Sequence, residues 1–441
     1  MKLGLGTGFT SPQKKGPHLR INEVLPAPTQ IANQPWMDIN NFSMIIEVVD
    51  SDVSANSGTR FLFHIGDSAG NNNQIQLFQS ASDSDIDYTI SAGGSLIAND
   101  TRVLEVLGDN KKQRWGITSN NGTLSFYLNG ILIDQFINIT QPSSTPEVGI
   151  GSKQNANGYP GTINEFKMWD GVLSRSKMET LTAIDDLAVN PSYDPDLNII
   201  PVYGQSNATG LGGGTNTYIN TSNIFAISPD GSLTSYTDPA DPNTNQLFPV
   251  FWDETSGTPG IGIQGNLLDT LADLTGNNWA VHTCAKGGSA LVHDWNPLQD
   301  NSSSKYRVSN TMFTALQRLL MCKKHGVLKA FIWIQGERDA AVSNTESEYN
   351  NKLTELIDLV RYYGGTDLPF ICVTIHDSLP IGSYPSKAAI RSAQTNYSER
   401  DNYYTIAGEG HEIQGDNVHY TTAGYNTLGY ALANLIHSDI L

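Results

Sequence analysis

Near residue 190 the hydrophobic pattern of this chain changes period, so one polypeptide must build two different kinds of layer. Between about residues 37 and 170 the apolar residues come in short or alternating runs: FSMIIEVVD (42–50), RFLFHIG (60–66), NQIQLFQS (73–80), TLSFYLNGILIDQF (123–136) and TINEFKMWD (162–170). Gly, Asn, Asp and Ser clusters divide them, and no helical spacing runs through them, which predicts many short strands in a sandwich or barrel. Asn129-Gly130 between two apolar runs predicts a tight hairpin, because both positions tolerate positive φ. LSRSKMETL (173–181) fits a short helix, and AVNPSYDPDLN (188–198), with two prolines and little apolar content, places a boundary over 187–196.

Beyond the boundary, near-continuous apolar runs alternate with segments of helical period. The runs are LNIIPVY (197–203), NWAVHTCA (278–285), LKAFIWI (328–334) and LPFICVTI (368–375); the helical segments cover roughly 263–274, 306–325, 346–363, 385–396 and 422–437. Strands apolar on both faces and separated by amphipathic helices predict a parallel sheet covered on both sides. The reactive groups of such a sheet lie on the loops beyond its C-terminal strand ends.

The 441 residues exceed what one core usually serves, which also favours two domains. A formal charge of −18 repels phosphate backbones and anionic lipid, and no basic stripe interleaved with aromatics offsets it, so neither nucleic acid nor membrane is expected as a partner. Lys2, Lys14, Lys15 and Arg20 make the extreme N-terminus basic; a solvated arm is the expectation there, a docking arm the alternative. Cys284, Cys322 and Cys372 form no CxxC pair and no zinc spacing, so buried thiols and no metal are expected. The N-terminus lacks the apolar core of a secretion signal and no run reaches the length of a membrane span, which predicts a soluble protein.

The strand ends carry the chemistry. The first runs into Tyr203-Gly204-Gln205-Ser206-Asn207, the second into Lys286-Gly287-Gly288-Ser289, the third into Gln335-Gly336-Glu337-Arg338-Asp339, and Asp416-Asn417-Val418-His419 precedes the last helix. A serine hydroxyl needs a base within hydrogen-bond reach and an anion-stabilising pocket to attack a carbonyl. His419 can supply the base, Asp416 can fix its tautomer, and the glycine pair can offer backbone N–H groups. His282, His293, His376 and His411 are scattered, with no ligand spacing, and are read as structural. Trp115 and Trp169 lie on alternating strands and are read as core.

GQSNA (204–208), AKGGSALVHDW (285–295), WIQGERDA (333–340), IRSAQ (390–394) and DNVHYTTAGY (416–425) resemble, in order, the sialate O-acetylesterase-like branch of the SGNH hydrolases. The resemblance implies Ser206 as nucleophile, with Asp416 and His419 completing the triad. It implies an oxyanion hole of the Ser206 and Gly288 backbone N–H groups, and Gln335 takes the side-chain role there. Gln205, Asn207, Gly287, Glu337, Arg338 and Trp295 are possible pocket residues. The family usually reads QGESD, and Arg338 stands where that serine belongs. It either reads an anionic substrate group or pairs with Glu337 or Asp339, the pairing being the expectation.

KQRWGITSNNGTLSFYLNGILI (112–133) and GTINEFKMWDGVLSRSKMETL (161–181) resemble the concanavalin A-like or laminin-G-like jelly roll, with no acidic cluster to suggest calcium. The fold expected is therefore multidomain: an N-terminal all-β jelly-roll sandwich (31–186) after an arm (1–30), then a linker (187–196) and a C-terminal α/β three-layer, flavodoxin-like SGNH domain (197–441). The expected function is a cofactor-free carbohydrate O-acetylesterase acting on acetylated polysaccharide. A non-catalytic glycan-binding or attachment protein is the alternative, and a thioesterase or lipase-like use of the triad is a third reading. The polar, turn-rich make-up suits a phage or viral tail fibre or spike, contacting other virion proteins through its N-terminal arm and forming a homo-oligomer; a cytoplasmic enzyme is the alternative setting.

Overall fold

The computed structural model describes residues 19–21, 29–31, 38, 40–49, 60–66, 74–79, 86–92, 95–102, 112–137, 147–150, 162–184, 192–228, 231–238, 260–298, 304–396 and 401–441. The chain divides into two compact units, Met1–Asp186 with Gln299–Asn310, and Leu187–Leu298 with Thr311–Leu441. Most of the expected arm and residues 187–191 of the expected linker lie outside the described residues. Within the arm, Leu19–Ile21 and Thr29–Ile31 are strands paired into the first unit, so at these positions the chain is not a free tail.

The first unit holds two antiparallel sheets among the described residues. One runs, in spatial order, Leu19–Ile21, Thr162–Asp170, Asn41–Val49, Lys112–Asn120, Thr123–Leu128, Ile131–Phe136 and Ser304–Arg307; the other runs Thr29–Ile31, Glu147–Ile150, Arg60–Gly66, Gln74–Gln79, Ile86–Ala92 and Ser95–Arg102. Phe63 of the second sheet stacks on Phe166 of the first with ring centroids 6.2 Å apart, so apolar faces of the two sheets meet. On the other face of the first sheet, the helix Arg175–Thr182 lays Met178 over Ile45, Tyr127, Leu132 and Trp169. Trp115 and Trp169 are both buried, as the alternation predicts. The hairpin forms at Asn129 (φ 50°) and Gly130 (φ 86°), the pair of positive φ values that a two-residue turn of matching twist requires.

Residues 306–309, expected to open a long helix of the second domain, instead belong with an edge of the first unit. Ser304–Arg307 pairs antiparallel with Ile131–Phe136, and Arg307 meets the fully buried Asp134 at 3.0 Å. That ion pair and the ladder hold the segment extended, so the helix begins only at Asn310.

The second unit is built on β1 (Leu197–Gly204), followed by a one-turn α1 (Ser206–Thr209), β2 (Ile224–Ile227), β3 (Leu233–Ser235), α2 (Gln264–Thr275) and β4 (Asn278–Ala285). Then come α3 (Asn310–His325), β5 (Val327–Leu328), β6 (Phe331–Ile334), α4 (Glu337–Ala341), α5 (Glu346–Gly364), β7 (Phe370–Val373), α6 (Lys387–Thr395), β8 (Tyr403–Ile406) and α7 (Thr422–Asp439). The sheet order is β3-β2-β4-β1-β6-β7-β8, with β5 also against β1 and every pair parallel except β2 with β3.

Alternate residues of β1 serve two cores, which is why its whole length is apolar. Ile200 and Val202 pack with Leu267, Leu268 and Leu271 of α2 and Leu428, Leu432 and Ile436 of α7, whereas Leu197 and Ile199 pack with Met321 and Cys322 of α3. Strand order reverses at β1, with β4 on one side and β6 on the other. Crossovers leave a crevice beyond the C-terminal ends of strands at such a reversal. No helix of the described residues is long and apolar enough to cross a membrane.

Candidate active site

Ser206 reaches the crevice because β1 ends in a turn that only glycine permits. Gly204 has φ 147°, and a Cβ there would sit 2.0 Å from the Ile334 carbonyl oxygen of β6. The chain then turns directly into α1, leaving Ser206 at its first position, only 6% exposed.

His419 arrives from the loop before α7. Gln414 N–H donates to the His419 carbonyl at 2.7 Å, Ile413 bridges Tyr420, and Asn417 takes φ 61°, closing a tight loop around 414–419. Within that loop one Asp416 oxygen, Oδ1, accepts the backbone N–H groups of Val418 (2.9 Å) and His419 (3.0 Å), while Oδ2 lies 2.6 Å from His419 Nδ1. Partial burial raises the Asp416 carboxyl, but those backbone donors and the imidazole outweigh it, leaving a net displacement below the usual carboxylate range. His419 Nε2 lies 2.8 Å from Ser206 Oγ. Three groups distant in sequence thus form one hydrogen-bonded line.

Asn207 ties this line to α4 and α7. Its Nδ2 donates to Glu337 Oε1 (2.7 Å) and to the Val418 carbonyl (3.0 Å), and its Oδ1 accepts from the Tyr425 hydroxyl at 2.9 Å. Asn207 therefore holds the histidine loop against α1 rather than lining the pocket.

The pocket beside Ser206 has a volume of about 340 Å³ and is bounded by Gln205, Ser206, Gly287, Gly288, Glu337, Arg338, Ala341, Tyr384, Val418 and His419. Gly288, which borders the pocket, adopts φ 62°, and nothing lies within 4 Å of where its Cβ would stand. Tyr384 and Ala341 lie outside the motif blocks, and only the folded chain reveals them as walls.

Besides Asn207, the expected pocket residue Trp295 and the expected oxyanion residue Gln335 also lie away from the pocket. Trp295 is fully buried, its Nε1 donating to Ser289 Oγ at 2.7 Å and its ring set edge-on to Trp333 at 5.0 Å; it props the glycine turn from beneath. Gln335 does not border the pocket either. Both its N–H bonds are engaged, with the Ser289 carbonyl at 2.9 Å and Asp339 Oδ2 at 2.6 Å, and its Oε1 accepts from the Tyr349 hydroxyl at 3.2 Å. A primary amide has two N–H donors, so none remains for a substrate oxygen.

Gln205 has the opposite arrangement. Its Oε1 accepts the Arg338 backbone N–H at 3.3 Å and a longer contact from Gln335 Nε2 at 3.4 Å. A backbone N–H can only donate, which fixes which end of the amide is oxygen and turns Nε2 the other way. The residue is 3% exposed and borders the pocket.

At the third strand end Asp339 has both oxygens engaged and Glu337 only one. Asp339 accepts Leu291 N–H (2.7 Å), Val292 N–H (3.1 Å), Gln335 and Asn344 Nδ2 (2.8 Å), pinning the backbone that follows the glycine pair. Burial raises both the Asp339 and Glu337 carboxyls, against the pull of these donors. Glu337 Oε2 has no hydrogen-bond partner among the described residues. Arg338 makes no ion pair with either acid among the described residues; its side chain is exposed at the pocket edge, contrary to the expected pairing. Asp339 already has its donors, and Arg338 stands at the pocket edge instead. No group of three or more His, Cys, Asp or Glu among the described residues is placed to hold a metal.

Residues 196–438 match the family model described as carbohydrate esterase, sialic acid-specific acetylesterase, and residues 27–178 match that of the concanavalin A-like lectin/glucanases superfamily. A curated relative, a probable carbohydrate esterase of Arabidopsis thaliana, is 29% identical over 157 residues, which cover 35% of this chain and 54% of the relative. The chain thus spans about half the length of that relative. Its solved structure aligns at 24% identity with a TM-score of 0.45, covering 56% of this chain and all of the other. The structure of NanS aligns at 13% identity with a TM-score of 0.40, covering 56% and 97%. Taken with the five sequence blocks and the match over more than half its length, the chain belongs to the sialic acid-specific acetylesterase family of carbohydrate esterases, with a concanavalin A-like domain ahead of the esterase domain.

Proposed function

We propose that this protein removes acetyl groups from carbohydrate hydroxyls, with Ser206, His419 and Asp416 as its catalytic triad. The observation that carries the reading is the hydrogen-bonded line from Asp416 through His419 to Ser206, ending at an open pocket. His419 Nε2 takes the hydroxyl proton as Ser206 Oγ attacks the ester carbonyl, and Asp416 stabilises the imidazolium. The tetrahedral intermediate collapses to an acetyl-serine; the sugar alkoxide leaves with the proton from His419. Water, deprotonated by the same imidazole, attacks the acetyl-serine and releases acetate, restoring the hydroxyl. The negative oxygen of each intermediate is held by the Ser206 and Gly288 backbone N–H groups and by Gln205 Nε2, which takes the part first expected of Gln335.

The sheet order around β1, with helices against both faces, supports reading the second unit as a three-layer, flavodoxin-like SGNH fold, and the two facing antiparallel sheets support a jelly-roll sandwich for the first. Arg338, free at the pocket edge, supports an acidic sugar as the acetylated substrate.

Acetate release from p-nitrophenyl acetate and from O-acetylated glycans tests both levels. Wild type turns over and Ser206→Ala does not; equal inertness of the two, with both still binding glycan, leaves an attachment protein. Arg338→Ser raises KM for acidic acetylated sugars and leaves neutral ones unchanged.

A further inference from the structure

The interior of the second unit, on the side of the sheet covered by α3, contains a charge that no described residue neutralises. Arg318 is 4% exposed, and its Nε and Nη2 have no hydrogen-bond partner among the described residues. These two nitrogens form the side edge of the guanidinium, the one that donates two parallel bonds to a single acceptor. In the first unit the same edge of Arg114 is filled by Glu47 Oε2. Around Arg318 no carboxylate stands in its place among the described residues.

The neighbouring side chains are polar, buried and short of partners. Arg318, Cys322 and His325 follow one another at spacings of four and three, one stripe of α3. Opposite them, Tyr203 of β1 pairs in register with Cys284 of β4, and His282 lies two residues before Cys284 on the same face. The Tyr203 and His282 rings meet edge to face at 6.0 Å. Tyr203 Oη, His282 Nε2 and His325 Nε2 join the two Arg318 nitrogens, so this patch holds five of the eleven buried side-chain atoms without a partner among the described residues.

None of these neighbours supplies a negative charge. Burial holds the Tyr203 hydroxyl well above its ordinary value and raises the Cys284 and Cys322 thiols, so all three stay protonated at neutral pH. His282 Nδ1 lies 2.7 Å from the Ile227 carbonyl and so carries the proton, and burial together with the Arg318 charge lowers the ring to about 3. Burial also lowers His325. Arginine cannot escape by losing its proton, and an unpaired ion in the interior is strongly destabilising. A buried water would satisfy the N–H groups and leave the charge.

We propose that this patch is a binding site for a small monovalent inorganic anion of the chloride class, held by the Arg318 Nε/Nη2 edge with the Tyr203 hydroxyl. It is a structural site inside the esterase unit, independent of the acetylesterase reading, since none of its residues borders the pocket.

The test uses the full chain, moved into sodium gluconate and titrated at constant ionic strength with sodium chloride or bromide. Tm rises with halide by about 3–5 °C for each tenfold increase above the dissociation constant, and gluconate has no such effect. Crystals soaked in bromide show an anomalous peak at the Arg318 edge. Arg318→Met and Tyr203→Phe flatten the halide response; the second keeps the proposal testable if the first fails to fold. A wild-type Tm indifferent to halide, with no peak at Arg318, overturns the proposal.

Discussion

Replacing Asp416 by asparagine changes one atom, and the structure specifies how that change reaches the serine. Asp416 Oδ1 accepts two backbone N–H groups, from Val418 and His419, so the oxygen of an asparagine is drawn to that side. Its NH2 then takes the position of Oδ2, 2.6 Å from His419 Nδ1. Two N–H donors cannot face each other, and Nδ1 must present its lone pair. The proton moves to Nε2, which now points it at Ser206 Oγ across the 2.8 Å contact instead of accepting one. The imidazole keeps its place but holds the wrong tautomer for a general base.

The expected loss in kcat is about 10⁴-fold, or roughly 5.4 kcal/mol in activation free energy. Asp416 is half exposed and both backbone bonds survive, so Tm should move little. Steady-state hydrolysis of p-nitrophenyl acetate alongside thermal unfolding separates the two quantities. Asp416→Asn retaining activity within tenfold of wild type at an unchanged Tm would show that Asp416 does not set the His419 tautomer through Nδ1.

Three further substitutions probe the rest of the site. Gln205→Ala should lower kcat by about 10²–10³-fold with KM nearly unchanged, because its amide acts on the oxyanion and not on the ground-state ester. Gln335→Leu should instead cost mainly stability, on the order of 1–3 kcal/mol, by stranding Ser289 and Asp339; a larger kcat loss for Gln335 than for Gln205 reverses the assignment. Glu337→Gln keeps the acceptor for Asn207 and removes a buried charge. Burial raises the wild-type carboxyl, so ionisation disfavours folding above the unfolded carboxylate range; the variant's Tm advantage should therefore vanish near pH 4 and grow as pH rises through the folded value. Unfolding curves between pH 4 and 8 with the difference shrinking towards neutrality would contradict that burial.

What the sequence revealed was whatever local chemistry decides. The Asn129-Gly130 turn needs only two residues that tolerate positive φ, and the Asp416-x-x-His419 loop closes on its own backbone, so both could be read from a few adjacent letters. The two-faced burial of β1 was equally legible, because a strand that feeds two cores has to be apolar throughout. The strand at Ser304–Arg307 was not, since its partner Ile131–Phe136 lies some 170 positions earlier and the segment's own letters suit a helix start. The same limit separates Gln205 from Gln335. Both are amides at strand ends on the crevice side, and composition cannot rank them. The difference arises from Asp339 and the Ser289 carbonyl, which take both N–H bonds of Gln335, while the Arg338 backbone N–H takes the oxygen of Gln205, a residue that borders the pocket. An oxyanion donor is thus defined by which of its hydrogen bonds remain unmade, and that is settled by the neighbours which compete for them, residues that a motif does not contain.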